Sequence, residues 1–196
     1  MNKQDKRDGL LKAAAAGVSL RQALCETLLD DIIDTAALMA RCIKRGGTIY
    51  LAGNGGSAAD AQHFATELVV RLTGKFERPS IPAASLTADS TLLTAAGNDY
   101  GFDKVFARQV QSLVRKKDIL FLISTSGNSE NLIEAAKVAR KTGASIVGLL
   151  GGKGGKLKKY AAKSIIVPSE SVQRIQEEHI FIIHNIVHLI EQDLFG

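Results

Sequence analysis

The chain has 196 residues, with 25 Lys and Arg against 20 Asp and Glu for a net charge of +5; that length fits one α/β domain, or at most two small ones. With 45% hydrophobic and 23% charged residues it sits on the globular average, which argues against disorder and coiled coil. Aromatic residues make up 5% with no Trp, too few for a stacking platform on single-stranded nucleic acid, and the small positive excess suits an anionic partner without naming one.

Residues 1–18 contain Leu10, Leu11 and an alanine run, but Lys12 interrupts the apolar stretch and Asp5 and Asp8 precede it, unlike a signal peptide. The segment shows no clear cap and is left open as a flexible N-terminal piece. Next, Leu20, Leu24, Leu28, Ile32 and Ala36 recur at helical spacing after Ser19, which reads as an N-cap, and Gly46-Gly47 stops that helix. Cys25 and Cys42 then share one helix about 25 Å apart, beyond disulfide reach.

Thr48–Ala52 is a short buried strand, and Ser57-Ala58-Ala59-Asp60 resembles a capping box opening a helix to about Leu72. Pro79 and Pro82 mark a loop before a strand near Ala83–Leu86. Helices are expected over Asp89–Ala96 and Asp103–Val114, with Asn98-Asp99 in a polar turn between them. Ile119–Ile123 is an apolar strand, Ser129 caps a helix ended by Gly143, and Ser145–Leu150 and Lys163–Val167 are strands. A last helix runs from Ser171 to Leu194.

Strands alternating with helices imply a parallel sheet covered on both faces. With no linker, repeat or low-complexity tract, residues 1–196 read as one domain. The longest uncharged apolar stretch, His179 to Ile190, is far short of the ~20 residues that span a membrane, so a soluble cytoplasmic protein with no membrane association is expected. Apolar residues on more than one side of the last helix, Ile180 to Ile190, predict burial all round and packing against another subunit.

Two turns at strand ends are rich in Gly, Ser and Asn: Gly53-Asn54-Gly55-Gly56-Ser57, and Ser124-Thr125-Ser126-Gly127-Asn128-Ser129. Ligands of parallel α/β sheets bind where strands end and helices begin. Glycine lets backbone approach an anion, free helix amides point at it, and the serine and threonine hydroxyls add neutral donors. The second turn therefore points to phosphate. A dinucleotide fingerprint, Gly53-x-Gly55-x-x-Ala58, is formally present, but its acidic partner would be Glu77, in a loop rather than at a strand end. A Walker A loop is absent.

His63 and Glu67 share a helix face at i, i+4 and could be half a metal site or an exposed pair. On the last helix, His184 and His188 also stand at i, i+4, which on spacing alone nominates them as two ligands, although for His179 and His188 the simpler reading is a hydrogen-bonded histidine of a buried helix. Lys153, Lys156, Lys158, Lys159 and Lys163 read as a solvated face, with no nucleic-acid partner, since no aromatics interleave with them.

These motifs, taken in order with Gly97-Asn98-Asp99-Tyr100-Gly101-Phe102 and Arg174-Ile175-Gln176-Glu177, resemble the phosphoheptose isomerase family of the SIS (sugar isomerase) domain superfamily. The resemblance covers the chain from about residue 20. It implies an α/β fold, a three-layer αβα sandwich with a five-stranded parallel sheet of flavodoxin-like or Rossmann-like type. It also implies a homotetramer with active sites at subunit interfaces. Asn54, Gly55, Gly56, Ser57, Glu67, Asn98, Asp99, Ser124, Thr125, Ser126, Ser129 and Gln176 would bind the sugar phosphate.

One zinc ion per subunit would sit on His63, Glu67, Gln176 and His184, which leaves His188 out. The implied reaction interconverts sedoheptulose 7-phosphate and D-glycero-D-manno-heptose 7-phosphate through an enediol, with Glu67 as base and His184 as acid. Gln176 and His184 lie ~12 Å apart along a straight helix and ~80° around it, so one ion on both needs extended side chains, a helix starting near Gln176, or two chains. The competing functions are a non-catalytic SIS-domain binding protein of the replication-initiator-associating type, another SIS sugar-phosphate isomerase and, more distantly, a nucleotide-dependent dehydrogenase.

Overall fold

Five strands pair into one all-parallel sheet in the computed structural model, which describes residues 1–196. They are β1 (Ile49–Gly53), β2 (Ala83–Ser85), β3 (Ile119–Ser124), β4 (Ser145–Gly151) and β5 (Lys163–Val167), in the spatial order β2-β1-β3-β4-β5. Ile49 stands opposite Ala83 on one side and Ile119 on the other. A parallel sheet is stable only when both faces are covered, and β3 is buried at every position.

Helices α1 (Lys3–Thr27), α2 (Leu29–Lys44), α3 (Gly56–Val69) and α7 (Val172–Phe195) cover one face; α4 (Ser90–Tyr100), α5 (Val105–Leu113) and α6 (Glu130–Thr142) cover the other. The two-residue period of the strands feeds two cores. Ile119, Phe121 and Ile123 point into the first, and Leu120 and Leu122 into the second. The result is a three-layer αβα sandwich.

Several boundaries differ from expectation, each for a local reason. Ser19 caps nothing, because the helix begins at Lys3: Asn2 and Asp5 form a reciprocal capping box, and residues 1–18 are mostly helical. The helix then breaks at Leu28, so Cys25 and Cys42 lie on successive helices; both are free thiols. Ser57 is inside α3, whose N-cap is Gly55 at φ +55° with no side-chain cap. Asn98 and Asp99 are in the last turn of α4, which continues to Tyr100 and ends at Gly101 with φ +88°. Ser129 precedes α6 without a side-chain cap, whereas Gly143 closes it in the left-handed region, φ +79°.

Within one chain α7 is buried on one broad side rather than all round. Ile182, Ile183, Ile186, Val187 and Ile190 lie inside the first core, while Ile180, Phe181 and Leu189 are only half-buried. No helix is long and apolar enough to cross a membrane.

Candidate active site

The chain leaves β1 toward α3 on one face and leaves the adjacent β3 toward α6 on the other. This divergence opens the crevice in which doubly wound sheets hold ligands. Asn54 and Asn131 close its floor with two reciprocal amide bonds, 2.9 and 2.8 Å, joining the glycine turn to the first turn of α6. Asn131 is buried. Nothing in the sequence distinguished it from an ordinary helix residue.

In the Ser124–Ser129 loop, Ser124 Oγ accepts the Gly127 amide at 3.0 Å and Ser126 Oγ accepts the Asn128 amide at 3.1 Å. A hydroxyl occupied as an acceptor keeps its own proton to give away. Ser129 Oγ lies 3.5 Å from Ser124 Oγ and makes no cap bond. The loop therefore offers neutral donors beside a helix start whose first amides lack a side-chain partner, an arrangement suited to a phosphate.

The backing of this loop was missed in the sequence. The β4–β5 connection, together with Lys163, had read as solvent-facing. Its glycines lie flat against the serine loop: a Cβ on Gly127 would collide with the Gly154 carbonyl, and one on Gly155 with the Ser126 carbonyl. Leu157 N donates to Gly127 O at 2.9 Å and Lys156 N to Asn128 Oδ1 at 3.0 Å. Lys153, Lys156, Lys158 and Lys159 are exposed, while Lys163 pairs with Asp31 and Asp34 of α2. Thr125, Ser126, Asn128, Lys153, Glu170 and Ile175 share the walls of a hollow of about 260 Å³. That is below the usual ~300 Å³ of a whole-ligand pocket and is sized for the phosphate end of a substrate.

Across the crevice, α3 and α7 meet. His63 Nε2 and His184 Nε2 are 2.9 Å apart, with the rings edge to face at 5.1 Å between centroids. Glu67 Oε1 lies 3.6 Å from His63 Nε2, and Glu67 Oε2 is buried with no partner. His184 thus pairs with His63 on another helix; His188, its neighbour at i+4, is exposed. Gln176 lies at the head of α3, where a Cβ on Gly56 would collide with its amide nitrogen, two turns from the point where His184 meets His63. His179 is fully buried, with Nε2 3.3 Å from Leu150 O.

Two imidazole nitrogens and a carboxylate with an unsatisfied buried oxygen are donor types zinc takes, whereas the Gln176 amide stands two turns away at the head of α3. The orphaned Glu67 Oε2 is the observation that fits such an ion. No three His, Cys, Asp or Glu side chains already surround one point in the single chain.

Asp60, expected to cap α3, instead lies one turn before His63 with Oδ2 buried and unpartnered. Burial pushes its carboxyl up to about 6, against the pull of His63. Asn98 and Asp99 are exposed and bond to each other at 2.8 Å. Glu77 pairs with Arg71 on the exposed loop after α3, away from any strand end, which removes the ribose partner a dinucleotide reading requires.

A family model described as SIS domain matches residues 14–151. Phosphoheptose isomerase of Geobacter sulfurreducens is 46% identical over 188 residues, 96% of this chain and 98% of that relative. Among solved structures, phosphoheptose isomerase GmhA from Neisseria gonorrhoeae aligns with a TM-score of 0.89 at 40% identity, covering 95% of this chain and 98% of that one. A phosphoheptose isomerase from Francisella tularensis aligns at 0.90 and 34% identity, covering 98% and 100%. The chain belongs to the phosphoheptose isomerase family of SIS-domain proteins.

Proposed function

We propose that the protein is an aldose–ketose isomerase that interconverts sedoheptulose 7-phosphate and D-glycero-D-manno-heptose 7-phosphate. The reaction begins the route to the ADP-heptose of the lipopolysaccharide inner core, and it takes place in the cytoplasm. The observation that carries this reading is the meeting of Glu67 and His184 at His63, across the crevice from a loop of neutral phosphate donors.

The serine loop and the start of α6 hold the 7-phosphate, so that C1 and C2 reach toward α3 and α7. Glu67 takes a proton from C1 of the ketose while the C2 carbonyl oxygen receives a proton from His184, which gives the 1,2-enediol. Return of the carbon proton to C2 and loss of the O1 proton yield the aldose, with atoms and charge conserved. His63, Glu67, Gln176 and His184 are the residues that would hold zinc. When bound, the ion supplies polarisation of the carbonyl and a hold on the C1 and C2 oxygens.

A homotetramer with sites between subunits accounts for two features. Large apolar side chains, Leu10, Leu11, Val18, Leu29 and Ile33, stand exposed on α1 and α2. Asn98 and Asp99 contact only each other among side chains, which leaves them available to a neighbour's site. The test is NMR of purified protein incubated with sedoheptulose 7-phosphate, with metal content and oligomer size measured alongside. Aldose product is expected, and Glu67→Gln should remove turnover while leaving oligomer size intact. An inert, zinc-loaded tetramer would overturn the enzyme reading and favour the binding-protein alternative.

A further inference from the structure

Arg78, in the loop after α3, has a fully buried side chain, yet it plays no part in the chemistry above. Its guanidinium makes four hydrogen bonds. Nε donates to Glu191 Oε1 at 2.8 Å, Nη1 to Leu68 O at 2.8 Å and Pro79 O at 3.0 Å, and Nη2 to Glu67 O at 2.8 Å. The carbonyls of Glu67 and Leu68 belong to the last turn of α3, which has no following turn to satisfy them and carries the negative end of the helix dipole. A planar, always-charged fork meets both at once, which a lysine cannot do.

The partner carboxylate connects this cap to the other half of the site. Glu191 is itself buried and lies two turns beyond His184, on the same stripe of α7. Its Oε1 also accepts the Leu72 amide at 3.3 Å. One guanidinium therefore joins the main chain of Glu67 to the helix that carries His184.

We infer that Arg78 is a positioning residue for the isomerisation: through Glu191 it locks α3 against α7, in the alignment that brings Glu67 and His63 to His184. The inference rests on the proposed reaction for its kinetic consequence, but not for its geometry. Apolar contacts between the two helices resist separation and resist sliding poorly, because they have no direction. The Arg78 fork is directional, and a shift of about 1 Å in a reacting group costs on the order of 100-fold in rate.

The test compares Arg78→Lys, Arg78→Gln and Glu191→Gln with wild type for kcat and KM on sedoheptulose 7-phosphate. Circular dichroism and oligomer size serve as controls, and a crystal structure of Arg78→Lys is determined. Folded Arg78→Gln should lose about 10- to 100-fold in kcat with KM within about threefold. Arg78→Lys, which keeps the charge and loses the fork, should fall between it and wild type, and so should Glu191→Gln, whose amide oxygen still accepts from Nε without the charge.

In the Arg78→Lys crystal structure His184 should be displaced by about 1 Å or more relative to His63. If Arg78→Gln does not fold, Arg78→Lys decides the kinetics. Wild-type kcat in folded Arg78→Gln or Arg78→Lys overturns the inference, and so does an unmoved His63–His184 contact. A wild-type protein without isomerase activity overturns the proposed function instead, and the crystal structure then still decides the clamp.

Discussion

Acidification from pH 7 to 4.5 should destabilise the protein through one residue, His179. Its Nε2–H donates to Leu150 O at 3.3 Å, and Nδ1 is buried with no partner. A second proton would place a charge on Nδ1 with nothing to accept it, so burial lowers the pKa from 6.5 to about 4, against the carbonyl bond that favours the charged ring. As pH falls, the unfolded chain takes up this proton first. The stabilisation is whole above pH 6.5 and drains away toward pH 4. From those two pKa values the loss between pH 7 and 4.5 is about 2 kcal/mol.

Asp60 runs the other way. Burial raises its pKa from 3.8 to about 6, so its stabilising effect is full at low pH and is lost as pH rises through 6. The two opposed slopes overlap and flatten the raw curve. The assay is therefore a difference: urea unfolding of wild type and His179→Gln at one fixed protein concentration, from pH 4.5 to 7. Glutamine can donate to the same carbonyl but does not titrate, and Asp60 is common to both. Wild type should lose about 2 kcal/mol relative to the variant on acidification. Curves that stay parallel within about 0.5 kcal/mol would refute the buried, neutral imidazole.

Two further outcomes test the phosphate loop and the cysteines. Gly127→Ala adds a Cβ at φ +64° that collides with the Gly154 carbonyl. The left-handed strain alone is about 1–2 kcal/mol, so calorimetry should show Tm lower by at least about 2 °C, and KM for the sugar phosphate should rise; an unchanged Tm would mean the two loops do not bear on each other. Cys42 is buried, and burial together with Asp118 pushes its thiol up to about 11, so a thiol reagent at pH 8 should modify Cys25 alone until the chain is unfolded. Two fast thiols per native chain would contradict that burial.

The architecture was legible because its signals are local and repeated. β5 begins and ends where the sequence placed it, and Ser171 and Gly143 stand at their helix ends as expected. The misses have local causes as well. Leu28 breaks a helix with no glycine or proline to announce it, and Gly55 took the cap position that Ser57 seemed to hold.

In the candidate site, the donors on α3 and α7 were named from their types and from the family resemblance, yet spacing alone paired His184 with the wrong histidine. Its partner is contributed by another helix. Asn131 and the Arg78–Glu191 pair gave no signal, because a buried polar residue differs from an exposed one only through contacts made across the fold. Asp60 was visible only as a capping residue, a role that the start of α3 two residues earlier removes.

The break at Leu28 also divides the molecule energetically. Of the 25 residues of α1 only Leu24 is buried, and its polar ties to α7 are an Arg21–Glu178 ion pair, the Arg21 guanidinium over the Phe181 ring and a hydrogen bond from Arg174 to Ala13 O. So little packing cannot give the helix the cooperativity of the sheet. In an isolated chain α1 is a separate, weaker folding unit that can melt while the crevice keeps its shape, so loss of total helix on warming and loss of the site are distinct events.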